Sequence, residues 1–227
     1  MLNSLFGLNA KRKRQLKKAP SGPIREFLSV PFPEPNTPID QVPILALDFE
    51  TTGLDPIDDQ LLSIGYVDLL NHRIKLSTAE HFIIKCQLRL AAENVVIHQI
   101  TEQEKLCGVE LKFAIEKLLN ALAGKVMLAH FAKIEISFLA QACKQLYGFV
   151  PVFPVIDTLA IAKRRLDMRQ ADYHPSELRL TNLRENYGLP AHYAHNALND
   201  AIATAELLLV DLATHNNANS LLRDILR

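Results

Sequence analysis

Two carboxylates, Asp48 and Glu50, stand two positions apart in the apolar run Pro43-Ile-Leu-Ala-Leu-Asp-Phe-Glu50. On a strand, side chains at i and i+2 point to the same face. Two acids on one face of a buried strand repel each other and lose hydration, and divalent cations are the usual neutralising agent. The alternative is a pair of ordinary acids at the solvent end of the strand. Far along the chain, His195 and Asp200 mark the start of an apolar, helix-periodic segment. A histidine at the mouth of a helix titrates near neutrality, which suits removal of a proton from water. An aspartate in the first helical turn sits on a rigid element. The plainer reading of this pair is a surface histidine and an acid that favours the helix dipole.

The elements that must hold these residues follow from patterning. Pro43–Glu50 reads as a strand bounded by proline and Gly53. Gln60 to Leu70 and Arg73 to Cys86 read as two more, joined by a turn at Asn71-His72. Leu111, Ile115, Leu118, Leu119 and Leu122 recur at helical spacing, and Gly124 stops that helix. Val126–Ala129 is a short buried strand, 134–146 a helix, and Val152–Ile156 a fifth strand. Helices over 158–165, 176–187 and 197–213 follow. Three strands, then alternating helix and strand, then helices, predict an α/β fold: a mixed five-stranded sheet flanked by helices.

Asp48-Phe-Glu-Thr-Thr-Gly-Leu54 resembles the first motif of the DEDDh 3′–5′ exonucleases, in the ribonuclease H-like superfamily. The proofreading epsilon subunit of bacterial DNA polymerase III belongs to that family. His195-x4-Asp200 resembles its third motif. The resemblance implies a ribonuclease H-like sheet in which Asp48, Glu50 and Asp200 bind two Mg²⁺ or Mn²⁺ ions and His195 is the general base. Thr51, Thr52, Gly53 and Leu54 would face the terminal nucleotide, with Leu54 wedged by its base. The middle motif departs from the family's His-Asn-x-x-Phe-Asp. Here it reads His130-Phe-Ala-Lys-Ile-Glu135, with Phe131 for Asn and Glu135 for Asp. Glu135 is then the fourth metal-site carboxylate, displaced by one methylene, or a surface helix acid. Mg²⁺ demands near-ideal octahedral geometry, so Mn²⁺ would tolerate the change better. Val96-Ile-His98-Gln-Ile-Thr101 resembles a segment lining the nucleotide site, which adds His98 as a substrate contact, and His130 of the middle motif is another. Asp157 reads as a helix N-cap near the site. His174 and His192 read as loop histidines, and Lys163, Arg164, Arg165 and Arg169 as a solvated helix end or phosphate contacts.

Across 227 residues, 25 basic and 25 acidic side chains cancel. The total hides a split. Residues 1–42 hold seven basic and three acidic side chains, net +4, and 43–227 hold 18 and 22, net −4. Seven of the twelve prolines lie in 20–43. These features divide the chain into a basic arm and proline-rich strap (1–42), a catalytic domain (43–215) and a C-terminal tail (216–227). The arm reads as solvated, as a contact for nucleic acid, anionic lipid or a replication or repair partner, or as a transit peptide. The 48% hydrophobic content excludes a disordered chain, and no apolar stretch is long enough to span a membrane. Cys86, Cys107 and Cys143 are scattered and form no CxxC pair, which fits the cytoplasm and argues against a structural zinc site. The expected partner is nucleic acid with a free 3′ end, foremost single-stranded DNA cut to 5′-mononucleotides. An exoribonuclease and a non-catalytic nucleic-acid-binding module are the alternatives.

Overall fold

The computed structural model describes residues 7–85, 106–170, 172–215 and 220–226. The chain opens with two helices, α1 (Leu8–Leu16) and α2 (Pro23–Ser29). Strand β1 (Ile44–Thr51) follows, then β2 (Leu61–Leu70) and β3 (Arg73–Ile83). Asn71 and His72 join β2 to β3 with φ of 53° and 55°. Two left-handed residues in a two-residue loop match the right-handed twist of the hairpin they close. Helix α3 (Leu111–Leu122), strand β4 (Val126–Ala129) and helix α4 (Lys133–Tyr147) lead to β5 (Val155–Asp157) and α5 (Thr158–Met168). A 3₁₀ turn (Pro175–Leu178), α6 (Leu180–Asn186), α7 (Ala197–His215) and α8 (Leu222–Ile225) complete the order.

The five strands form one sheet in the order β3-β2-β1-β4-β5. β1 is antiparallel to β2 and parallel to β4, and β4 is parallel to β5. The expected mixed sheet with flanking helices is therefore present. Strand alternation sorts β1 between two cores. Leu45, Leu47 and Phe49 pack with α2, α3 and α4, while Ile44 and Ala46 pack with α7 and α8. Asp48 and Glu50 share the parity of Ile44 and Ala46, so they point to the α7 side. β5 starts at Val155 rather than Val152. Pro151 and Pro154 bring no amide to a ladder, and the Val152 amide donates to Gln15 Oε1 at 2.8 Å.

The amino-terminal segment differs from the expected arm and strap. Ile24, Phe27, Leu28 and Phe32 are buried in the main core, and the Phe27 ring lies 5.2 Å from that of Phe153. Pro23 sits at the first turn of α2, where a missing amide costs nothing, so the proline-rich sequence starts a helix rather than preventing one. Residues 220–226 of the expected tail are also packed. The Ile39 amide donates to Ser220 O and the Leu222 amide to Thr37 O, each at 3.0 Å, and Leu222, Ile225 and Leu226 are buried. Residues 7–42 and 220–226 thus belong to the same folded body as the sheet. Among the described residues, no helix is long and apolar enough to cross a membrane. Cys86 lies outside the described residues.

Candidate active site

Asp48 and Glu50 occupy the last turns of β1, where the strand leaves the sheet toward Thr51–Leu54. Asp48 is paired in register with Gly65 of β2. A Cβ at Gly65 would lie 2.2 Å from the Leu198 amide nitrogen and 2.3 Å from the Ala197 carbonyl carbon. The missing side chain therefore lets the first turn of α7 rest on the strand pair. That turn is closed by Asn196, whose Oδ1 accepts from the Asn199 amide at 3.1 Å, and it carries Asp200. Oxygens of Asp48, Glu50 and Asp200 come within 4.8 Å of one another.

Glu135 enters from the other side, in the first turn of α4, and is buried. Its Oε2 has no hydrogen-bond partner. Burial, then the neighbouring charges of Asp157 and Glu50, push its carboxyl up to about 8, against the backbone amides of Glu135 and Phe49. Burial, with Glu135, Asp200 and Glu50 behind it, raises Asp48 well above the usual carboxylate range. Burial raises Asp200 too, opposed by His192 and the His195 amide. Crowded carboxylates held away from water need positive charge, and an all-oxygen donor set with an orphaned buried oxygen suits a hard divalent cation. The residues present fit such ions. Glu135 stands outside the group of three whose oxygens lie within 4.8 Å.

The histidines divide by role. His195 is exposed, has φ of 66°, and its amide donates to Asp200 Oδ2 at 2.8 Å. His192, expected as a loop residue, donates from Nε2 to Asp200 Oδ1 at 2.8 Å. His130 lines the same cleft as Asp48, His195 and Asp200, and its ring is also anchored within the protein. Its Nε2 donates to Leu178 O at 2.9 Å and its Nδ1 meets Thr158 Oγ1 at 2.8 Å, so both ring nitrogens are used inside the protein. Burial lowers its pKa, opposed by the hydrogen bond to Leu178 and the charge of Asp157. His98 lies outside the described residues. Asp157 caps α5 as expected, its Oδ1 accepting from Leu159 and Ala160 amides, and also from the Phe131 amide at 3.0 Å.

The loop after β1 is built around Asp59. Its Oδ1 accepts from Thr52 Oγ1 at 3.0 Å and its Oδ2 from the Asp55 amide at 2.9 Å, and it fills the space a side chain at Gly53 would need. Thr51 Oγ1 donates to Gly53 O at 2.6 Å. The two threonine hydroxyls thus hold the turn, and Leu54 is left 74% exposed.

Asp48, His192, His195 and Asp200 line an open cleft of about 650 Å³ together with Phe131 and Arg179. The Arg179 guanidinium is a cation that the motifs did not indicate, because it precedes α6 in a segment with no signature of its own. The basic residues of α5 are used elsewhere. Lys163 pairs with Asp167 at 3.0 Å, Arg165 with the buried Asp211, and Arg164 donates to Asp224 O.

The exonuclease family RNase_T matches residues 45–208. The PolC-type DNA polymerase III of Thermotoga petrophila is 32% identical over 165 residues, 73% of this chain and 11% of that protein. The chain thus spans about a tenth of the length of that relative. The DNA polymerase III subunit epsilon of Treponema pallidum is 28% identical over 191 residues, covering 79% of this chain and 81% of that one. Among solved structures, the zinc-bound complex of E. coli exonuclease I with single-stranded DNA superposes with a TM-score of 0.65 at 16% identity, over 78% of this chain and 42% of the other. That likeness concerns the fold. The matched span runs from the strand of Asp48 and Glu50 to the helix of Asp200 and takes in the whole sheet and cleft, and the chain belongs to the RNase_T exonuclease family.

Proposed function

We propose that this protein is a 3′–5′ exonuclease that hydrolyses DNA from the 3′ end to 5′-mononucleotides, in proofreading or repair in the cytoplasm. The observation that supports it best is the meeting of Asp48, Glu50 and Asp200 within 4.8 Å, with Asp48, Asp200 and the exposed His195 lining one open cleft. Asp48, Glu50 and Asp200 would hold Mg²⁺ or Mn²⁺, with Glu135 as the fourth carboxylate for a second ion. Bound divalent cations supply the charge that lets an anionic phosphodiester approach these acids and that activates water.

The chain's own residues set the rest. A ring nitrogen of His195 takes the proton of the attacking water. The new P–O bond forms as the bond to the 3′ oxygen breaks, and the departing 3′ oxygen takes a proton from solvent. Asp200 is held through both oxygens, by His192 and by the His195 amide, so the loop that carries the base also orients a ligand. Arg179 at the cleft provides a cation for a substrate phosphate. DNA is preferred over RNA because the relatives are named as DNA polymerase III proteins.

The test is digestion of 3′-labelled single-stranded DNA and matched RNA with Mg²⁺ and with Mn²⁺. Wild type should release DNA mononucleotides, and Asp48→Ala should abolish release. Activity retained in that variant would sink the mechanism, and preferential digestion of RNA would establish an exoribonuclease. No cleavage under any condition would leave a binding module.

A further inference from the structure

The outer face of α1 is made of cations. Arg12 points inward, buried, and donates to Leu28 O, while Asn9 Nδ2 donates to Phe32 O at 3.0 Å. Gln15 is tied to both sides of Pro151, donating to Val150 O at 3.1 Å and accepting from the Val152 amide. Arg25 donates to Leu16 O and Ala19 O and closes the end of the helix. With that face fixed, Lys11, Lys13, Arg14, Lys17 and Lys18 are all exposed. Lys11, Lys13 and Arg14 lie on α1 itself, where 3.6 residues per turn spreads them over an arc of roughly 160°, and Lys17 and Lys18 continue the patch in the turn that follows.

This face is electrostatically unbalanced. Residues 8–18 contain no acid. Lys13 and the C-cap Lys17 are like charges at i,i+4, which destabilise an isolated helix, and Lys18 adds a further like charge in the turn beyond. None of the ion pairs among the described residues involves these five. The helix is held by its buried side, and its charges await a counter-charge.

Its position separates it from the cleft. Val155, first in β5, is level with Met127 of β4, and Met127 is level with Leu45 of β1. Asp48 is three residues further along β1, roughly 10 Å. The Val150–Val152 loop that holds α1 enters β5 from the opposite end. The patch is thus at the other pole of the sheet from the carboxylates and lies outside the span matched by the exonuclease family.

We propose that the outer face of α1 is a second nucleic-acid site, binding the phosphate backbone of substrate beyond the cleft without reading its bases. The choice of a nucleic acid as polyanion rests on the exonuclease reading. The side chains fit it: cations on a preformed helix face, with no aromatic side chain between them to stack on bases. Ordering costs are small because α1 is already packed.

The test compares the full chain with a variant carrying Lys→Gln at 11, 13, 17 and 18 and Arg14→Gln. Binding of a labelled 30-nucleotide single strand and of a duplex is followed by anisotropy in EDTA, where nothing is cleaved, across a salt series. The variant should bind at least tenfold more weakly at low salt. Its log K against log salt slope on the single strand should be shallower by about 2–3, at ~0.7 for each phosphate no longer neutralised. Lys11→Glu with Lys18→Glu, a smaller change, should shift both quantities the same way. Unchanged affinity and slope in both variants would overturn the proposal. So would phosphatidylserine vesicles that bind wild type and release both variants while DNA binding stays the same. Turnover of a dinucleotide, too short to reach α1, should be equal in all three proteins. A wild type that cleaves no oligonucleotide would refute the exonuclease reading and leave the anisotropy result to decide this one.

Discussion

Asp48 and Gly65 face each other across β1 and β2, and the backbone of Ala197 and Leu198 fills the space where a Gly65 side chain would be. One strand pair therefore sets both Asp48 and the height of the helix that brings Asp200 to it. Gly65→Ala would put a methyl 2.2 Å from the Leu198 nitrogen, and backbone cannot swing aside. The helix must rise by about 1 Å, a displacement that costs ~10²-fold in rate when it separates reacting groups. The expected result is a kcat lower by about 10²-fold with a stability loss of ~1–3 kcal/mol. Steady-state kinetics and a urea melt read the two separately, and an unchanged kcat would show that α7 does not set the site.

His192 reaches the same aspartate from the loop before α7. Groups that orient a metal-binding carboxylate contribute ~10–100-fold to metal affinity. His192→Ala should therefore raise the Mn²⁺ concentration for half-maximal activity by that factor, with most of kcat recovered at saturation. A loss of kcat that no metal concentration restores would assign His192 to the reaction itself.

The raised carboxyls make a pH prediction with a definite sign. Burial lifts Glu135 from 4.5 to about 8 and lifts Asp48 in the same direction. The folded protein then binds these protons more tightly than the unfolded chain does. That stability is complete below about pH 4.5 and is lost as pH rises through about 8. The metal-free protein should be less stable at pH 8 than at pH 5, on the order of a few kcal/mol from this source. Glu135→Gln should flatten the profile, and Mg²⁺ or Mn²⁺ should raise the wild-type Tm more at pH 8 than at pH 5. Thermal melts in EDTA and in metal decide it, and a profile that rises toward pH 8 would contradict it.

Phe131 holds φ of 63° with its ring 43% exposed. Left-handed backbone costs ~1–2 kcal/mol for an ordinary side chain, and asparagine tolerates it best after glycine. Replacing the ring sacrifices little burial. Phe131→Asn should stabilise the protein by ~1 kcal/mol, read as a higher urea midpoint at unchanged m-value. A lower midpoint would mean that the ring's packing outweighs the strain.

The acids of the site are legible in the sequence because their signals are local. Strand parity puts Asp48 and Glu50 on one face, and a helix start fixes Asp200. What escapes depends on loop closure. His192 meets Asp200 because residues 188–195 fold back over α7, and His130 is spent on Thr158 and Leu178 because two separate turns converge there. The first 42 residues mislead for a different reason. Proline and charge dominate their composition, yet Ile24, Phe27 and Leu28 are spaced to bury one side of a short helix. The fifth strand reads too long because its apolar content masks Pro154, which brings no amide, so the pairing with β4 starts only at Val155.

The clasp between residues 35–39 and 220–223 ties the two ends of the described chain to each other. Thr37 O receives the Leu222 amide, Pro35 O the Arg223 amide, and Ser220 O the Ile39 amide. Trimming to the span 45–208 would strip both halves of that clasp and uncover apolar side chains in both cores. Removing either residues 35–39 or residues 220–223 orphans backbone groups of the other, so a protease that nicks either segment would loosen the protein through this clasp.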